Sequence, residues 1–289
     1  MQFIETELND WKDIFKIDNK FLNEFLFRGQ ANKEWKLTSS IERLINRLHP
    51  NYPDKAILSS QEKSMIEEFQ WKFQIFENTN ISDQDYIEWL SIMQHYGAAT
   101  RLLDFTDSFF VATFMALSDS VNDSSIWAIN KHTITSDTFK LFSEKFSKNS
   151  ASRKEIDKYS LELANKAIRN AHNESEQKLL LIRPKKCNER IYRQQGLFLM
   201  PTNIQRPFMD NLSPFLDNKE SLNIDFEDII QISKNPYRQN EIAMIKINIP
   251  KNIHLSIISN LREMNIHSEL LFPGIEGLAK SLNYSKFNI

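Results

Sequence analysis

The chain has 289 residues, 41% hydrophobic and 26% charged, values that fit a folded domain with a substantial core and exclude wholesale disorder. A formal net charge of -2 gives no overall attraction to nucleic acid or to an anionic membrane. Cys187 is the only cysteine, so no intrachain disulfide forms, as suits a reducing compartment. The acidic start, Met1 to Glu7, lacks the basic-then-apolar order of a secretory leader. The longest apolar run, Phe109 to Leu117, falls far short of the ~20 residues that span a bilayer. The expectation is a soluble, cytoplasmic protein with no membrane partner. Only 5 glycines occur, where average usage would give roughly 20, so each survivor is expected to serve close approach or positive φ.

In chain order, Phe25-Leu26-Phe27-Arg28 reads as a short buried strand ended by Gly29. Ser59 to Phe76 has helical spacing through Met65, Phe69, Phe73 and Phe76. A second helix is expected from Ser82, with Ser82 and Asp85 as a capping box and Gly97 as C-terminal cap. Leu102 to Phe105 predicts a strand, Phe109 to Leu117 an apolar helix, and Ile126 to Ile129 a strand. Residues 131–177 are polar and charged, and read as a helical insertion or cap within a single domain covering 1–289. Leu179 to Ile182 returns as a strand, Ile191 to Leu199 carries a Gln-Gln-Gly turn and a strand, and Pro207 to Glu227 is irregular. Ile242 to Ile249 alternates and is β-branched, so it predicts a strand ended by Pro250. Leu255 to Met264 is a helix, and Glu269 to Phe272 a last strand closed by Pro273-Gly274. Strands and helices without regular alternation point to α+β, with a mixed or antiparallel sheet flanked by helices.

No dinucleotide fingerprint, Walker loop, zinc-protease motif or nucleophile elbow occurs, and one cysteine with scattered histidines gives no metal-ligand spacing. Two constellations remain. Phe27-Arg28-Gly29-Gln30 sets an arginine at the end of a buried strand; it is either a guanidinium reaching the rim or a fork for a phosphate-bearing ligand. Gln94-His95-Tyr96-Gly97-Ala98-Ala99-Thr100-Arg101-Leu102-Leu103-Asp104 delivers six hydrogen-bonding side chains around one turn, more than an exposed turn needs. Pairing of Arg101 with Asp104 and helix capping by His95 are the structural alternatives.

These two segments, in this order, resemble the FRG-domain family: Phe-Arg-Gly-Gln first, then Gln-His-Tyr-Gly-x-x-Thr-Arg-Leu-Leu-Asp-x-Thr, matched here through Thr106. The helix from Phe110 to Leu117, the segment Arg190, Gln194, Gln195, Gly196 and Phe198, and the terminal Leu271 to Leu278 are similar to later parts of that family's pattern. A weaker resemblance is to toxin-like ADP-ribosyltransferases, which implies a split sheet of their type. It also implies NAD as substrate, with an aromatic-Arg-Gly step on the first core strand and a glutamate opening a late strand before Pro. Arg28 stands in the first context and Glu269 in the second.

That resemblance implies a reaction through an oxocarbenium-like state, as in glycoside cleavage. Glu269 would stabilise the positive charge, and Arg28, beside Gly29, would hold the diphosphate or the adjoining ribose. Tyr96 or Phe110 would stack on nicotinamide, His95, Thr100 and Gln195 would shape the pocket, and Arg101, Asp104 and Thr106 would complete it. No metal is needed. His267 stands where arginine-modifying enzymes carry a second glutamate, so the acceptor, protein or nucleic acid, stays open. Two other classes remain open: a non-enzymatic module binding a nucleotide or nucleic acid, and a metal-dependent phosphoesterase using Asp104, Glu269 or Glu276.

Overall fold

The computed structural model describes residues 1–49, 58–170, 177–186 and 188–285. Cys187 and the end of the expected insertion, 171–176, lie outside them. Among the described residues the strands are β1 (Gln2–Glu7), β2 (Phe25–Gln30), β3 (Leu103–Thr106), β4 (Ser124–Asn130), β5 (Leu179–Ile182), β6 (Gly196–Pro201), β7 (Leu222–Asn223) and β8 (Ile242–Ile249). They form one mixed sheet in the order β5-β6-β3-β2-β4-β8-β1-β7, parallel only where β1 meets β8 and β7. The class is α+β. Hydrogen-bond order is continuous, but β2 and β3 share the single paired position Phe27 with Thr106.

Both faces of the sheet are buried, so most strands lack polar positions and alternate between two cores instead. On one face Leu26, Leu103, Phe105, Trp127, Ile129, Leu197, Leu199 and Met244 build a continuous layer with Phe208 and Leu212. The other face is covered in two parts. Helices Phe109–Leu117, Phe226–Ser233 and His254–Glu263 pack on Phe25, Phe27, Ile126, Ala128, Ile245 and Ile247. Helices Leu58–Phe73, Tyr86–His95 and Arg153–Arg169 pack on Leu180, Ile182, Phe198 and Met200. Among the described residues of 131–177, Lys131–Phe146 and Arg153–Arg169 are helices, and Arg153–Arg169 places Leu161, Ala164 and Ile168 in this core.

Several expected elements form as read, among them the helix Phe109–Leu117 and the strand Ile242–Ile249. Others are corrected. The helix after Ser82 starts at Tyr86, and its N-cap Asp85 makes no side-chain capping bond, so there is no capping box. Gly97 does end that helix: at φ +88° it lets Ala98 N–H donate to Met93 O (2.9 Å) and Gly97 N–H to Gln94 O (3.0 Å), a Schellman turn. Ser268–Leu271 is a short helix, not a strand, and Pro273 leads into another helix, Gly274–Ser285. The segment 207–227 is irregular in part, but holds the helix Phe208–Leu212 and the edge strand β7.

Two contacts lock the frame. A Cβ on Gly29 would lie 2.0 Å from Ala112 O and 2.5 Å from Ala116 N, so this glycine brings β2 against the helix Phe109–Leu117. Arg101 is 1% exposed and paired with Glu62, equally buried, through Nε (2.9 and 2.8 Å) and Nη2. Its Nη1 donates to Thr202 O (3.2 Å) and, at longer range, Pro201 O (3.4 Å), joining the helix Leu58–Phe73 to the end of β6. Gly29→Ala must push backbone from backbone, and should lower stability by at least the upper end of the ~1–3 kcal/mol typical of overpacking. Glu62→Gln strands a buried guanidinium and should cost about 3–5 kcal/mol. Urea unfolding of each variant measures both, and an unchanged midpoint would refute the assignment concerned.

Candidate functional site

Where the two helical layers part, above the β2/β3 junction, a cleft of about 280 Å³ opens in the face of the sheet. Phe27, Val111, Ala112 and Met115 line its apolar side. Gln94, His95, Asp104, Thr106, Asn188, Arg190 and Gln194 line its polar side.

Arg28 sits at its base. Strand alternation sends it away from Phe27, and its guanidinium turns into the gap that β2 and β3 leave. There Nη1 donates to Asp104 O (2.7 Å) and stands 3.9 Å from Asp104 Oδ2. Its Nε is buried and has no hydrogen-bond partner. Burial pushes the Arg28 pKa down, opposed by Asp104 and helped by Arg43, yet an arginine keeps its proton at neutral pH. A second guanidinium, Arg190, lies with its centre 5.1 Å above the Phe272 ring. Glu276 stands near enough to feel both Arg190 and His95, although Lys280, at 2.9 Å, is the main reason its carboxyl titrates low.

The Gln94–Asp104 segment proves to be half frame and half lining. Thr100 is fully buried: Ser40 Oγ accepts from its amide (2.9 Å) and donates to its carbonyl (3.1 Å). The Thr100 hydroxyl donates to Gln94 Oε1, which fixes the amide so that Gln94 Nε2 donates to Asp104 Oδ1 (2.8 Å). Thr100 therefore orients Gln94 and does not line the cleft. Arg101 is spent on Glu62, not Asp104, and faces away from the cleft. His95 lines the cleft rather than only ending its helix, while Tyr96 is 65% exposed and touches His95 edge-on from outside (5.1 Å between centroids). Thr106 lines it with its hydroxyl given to Gln194 O (2.7 Å).

Four further expected members lie elsewhere or do another task. Gly29 lines the cleft, but its close approach serves the neighbouring helix, not a ligand. Phe110 packs against Trp11 and Phe15, away from the cleft. Gln195 is exposed at φ +47°, and its carbonyl accepts from Asp107 N–H (3.1 Å). Glu269 lies in the short helix Ser268–Leu271 and lines a different cavity, with Phe114, Ile258 and His267. It does not meet Arg28. Neither Leu270 nor Leu271 is β-branched, so the strand preference rests on Phe272 alone, and a helical turn here lets Gly277 pack on Phe272 O.

Arg190, Gln194 and Phe198 line the cleft, although likeness to the later FRG pattern was their only signal in the sequence. Asn188 had no signal at all; its side chain caps the helix Glu189–Arg193. Among the described residues no three His, Cys, Asp or Glu side chains gather as a metal site, and Asp104 and Glu269 line separate cavities. No described helix is long and apolar enough to cross a membrane.

No curated protein and no solved structure matches this chain. The FRG domain model matches residues 23–125, a span running from just before β2 into β4 that contains both motifs, Arg28 and Asp104. The Arg190–Phe198 wall of the cleft falls outside the matched span, so the cleft joins matched and unmatched sequence. On the match and the motifs inside it, residues 23–125 are similar to an FRG domain.

Proposed function

We propose that the β2/β3 cleft binds the diphosphate and adjoining ribose of NAD or a related nucleotide, and that the protein cleaves the nicotinamide–ribose bond as an ADP-ribosyltransferase or NAD glycohydrolase. The observation that carries this reading is the buried Nε of Arg28, a charged donor without a hydrogen-bond partner on a residue that lines the cleft. Such a group costs free energy until an acceptor meets it, and an oxyanion does so best.

The residues present fit the ligand. Arg28 and Arg190 supply charge, Gln94, Asn188 and Gln194 supply neutral polar groups, and Phe27, Val111 and Met115 supply an apolar wall for a flat ring. At about 280 Å³ the cleft encloses one end of a dinucleotide, at the low edge of small-ligand sites, and leaves the rest on the surface. The narrowing of the sheet to one pair at β2/β3 also suits the split sheet of ADP-ribosyltransferases.

In the reaction, the C1′–N bond breaks and its electron pair leaves with nicotinamide. Positive charge builds on the ribose, and a carboxylate nearby stabilises it. Asp104, the carboxylate in the cleft, takes that role in place of Glu269. The acceptor or a water then bonds to C1′ and loses its proton to solvent.

The test is nicotinamide release from NAD by the purified protein, with NAD binding measured separately. Arg28→Lys, which keeps the charge but loses the fork, should weaken binding at least tenfold. Asp104→Asn should lower turnover about a hundredfold with little change in binding. Glu269→Gln should behave as wild type; loss of turnover there would overturn the role given to Asp104. Binding without release would make the domain a non-catalytic nucleotide sensor, and no binding would remove the proposal.

A further inference from the structure

At the opposite end of the sheet, where two-residue β7 stops pairing with β1, a larger cleft of about 620 Å³ wraps the sheet edge. Its sign is reversed. Five carboxylates, Glu5, Glu7, Asp13, Asp225 and Glu227, line it, and no lysine or arginine does. Lys246 offsets Glu5 (2.8 Å) and Lys16 offsets Asp13 (2.6 Å), which leaves Glu7, Asp225 and Glu227 without an ion pair among the described residues.

A crowd of acids at a surface is common and says little by itself. Two further groups point to a ligand. Thr6, on β1 between Glu5 and Glu7, is 4% exposed and lines the cleft, and its hydroxyl is buried with no hydrogen-bond partner. The carbonyl oxygen of the Asn248 side chain is also buried and unpartnered; Asn248 pairs with Glu7, so it lies on the sheet face opposite Thr6, where its amide nitrogen donates to Glu5 (2.8 Å). An amide oxygen only accepts, so the missing partner is a donor. These acids do not converge as a metal site, which calls for a cation whose N–H groups are spread over several ångströms.

We propose that this edge cleft binds an organic polycation through its ammonium or guanidinium groups. The source is either a free linear polyamine or basic side chains of a polypeptide. Glu7, Asp225 and Glu227 supply the charge, while Thr6 and Asn248 accept from separate N–H heads on the two faces of the sheet.

Calorimetric titration at low ionic strength, with spermidine and separately with a hexa-arginine peptide, tests it. Saturable binding is expected for at least one probe, and which one binds identifies the source. The triple variant Glu7→Gln/Asp225→Asn/Glu227→Gln should lose at least tenfold in affinity. A control of equal charge, Asp83→Asn/Glu144→Gln/Glu263→Gln, alters exposed acids outside the cleft and should bind as wild type. Thr6→Val should weaken binding several-fold without lowering the unfolding temperature, since it removes an unsatisfied buried hydroxyl. No saturation with either probe, or equal losses in the two triple variants, would overturn the assignment.

Discussion

A strand carbonyl facing an unpaired edge must find a donor, and at Asp104 that donor is the side chain of Arg28. Beyond the Phe27–Thr106 pair, β2 and β3 form no further paired positions, so a guanidinium does what a neighbouring amide would do in an unbroken ladder. The rest of the cleft follows from this substitution. The sheet stays continuous enough to carry one buried layer on its far face. On the near face two helical layers are free to stand apart, and the gap between them is the cavity. Because a guanidinium has more donors than one carbonyl can use, the device that mends the sheet also leaves a charged N–H unspent.

Arg101 shows how differently the same side chain is used three residues from the same aspartate. Its donors go to a buried carboxylate and two carbonyls, and it is 1% exposed. It has no capacity left for a ligand. Spacing alone cannot separate the two arginines: both stand beside strands and next to motif residues. What separates them is Glu62, about forty positions upstream on another helix, and no local pattern contains it. The motif is thus a mixture of parts. Thr100 and Arg101 hold the turn, Gln94 transmits that hold to Asp104, and Arg28, His95 and Asp104 face the cavity.

The sequence was most legible where local rules act alone. The apolar helix Phe109–Leu117, the alternating β8 and the glycine turn at Gly97 each depend on a few neighbouring residues. It was least legible where a distant partner decides. The strand β1 is made by parallel pairing with β8, some 240 residues later, and its own composition announces nothing. The last turn before Pro273 was misread because an X-Pro step ends a strand and precedes a helix equally well. Here Gly277 tips the balance: its hydrogen stands where a Cβ would meet Phe272 O at 2.1 Å, so the helix it belongs to folds back on Ser268–Leu271. That fold-back carries Glu269 into another cavity and leaves Asp104 as the carboxylate beside Arg28.

Net charge was the least informative global number for a related reason. A total of -2 is the sum over a molecule whose one sheet carries a cationic cleft at β2/β3 and an acidic cleft at β1/β7, with β4 and β8 between them. At physiological salt, fields from exposed charges fade over about 8 Å, less than the width of the two intervening strands, each about 4.8 Å from its neighbour. Each cleft therefore presents its own local sign to whatever approaches it. A near-neutral total over the whole chain therefore hides local fields of either sign, and it excludes neither an anionic nor a cationic partner.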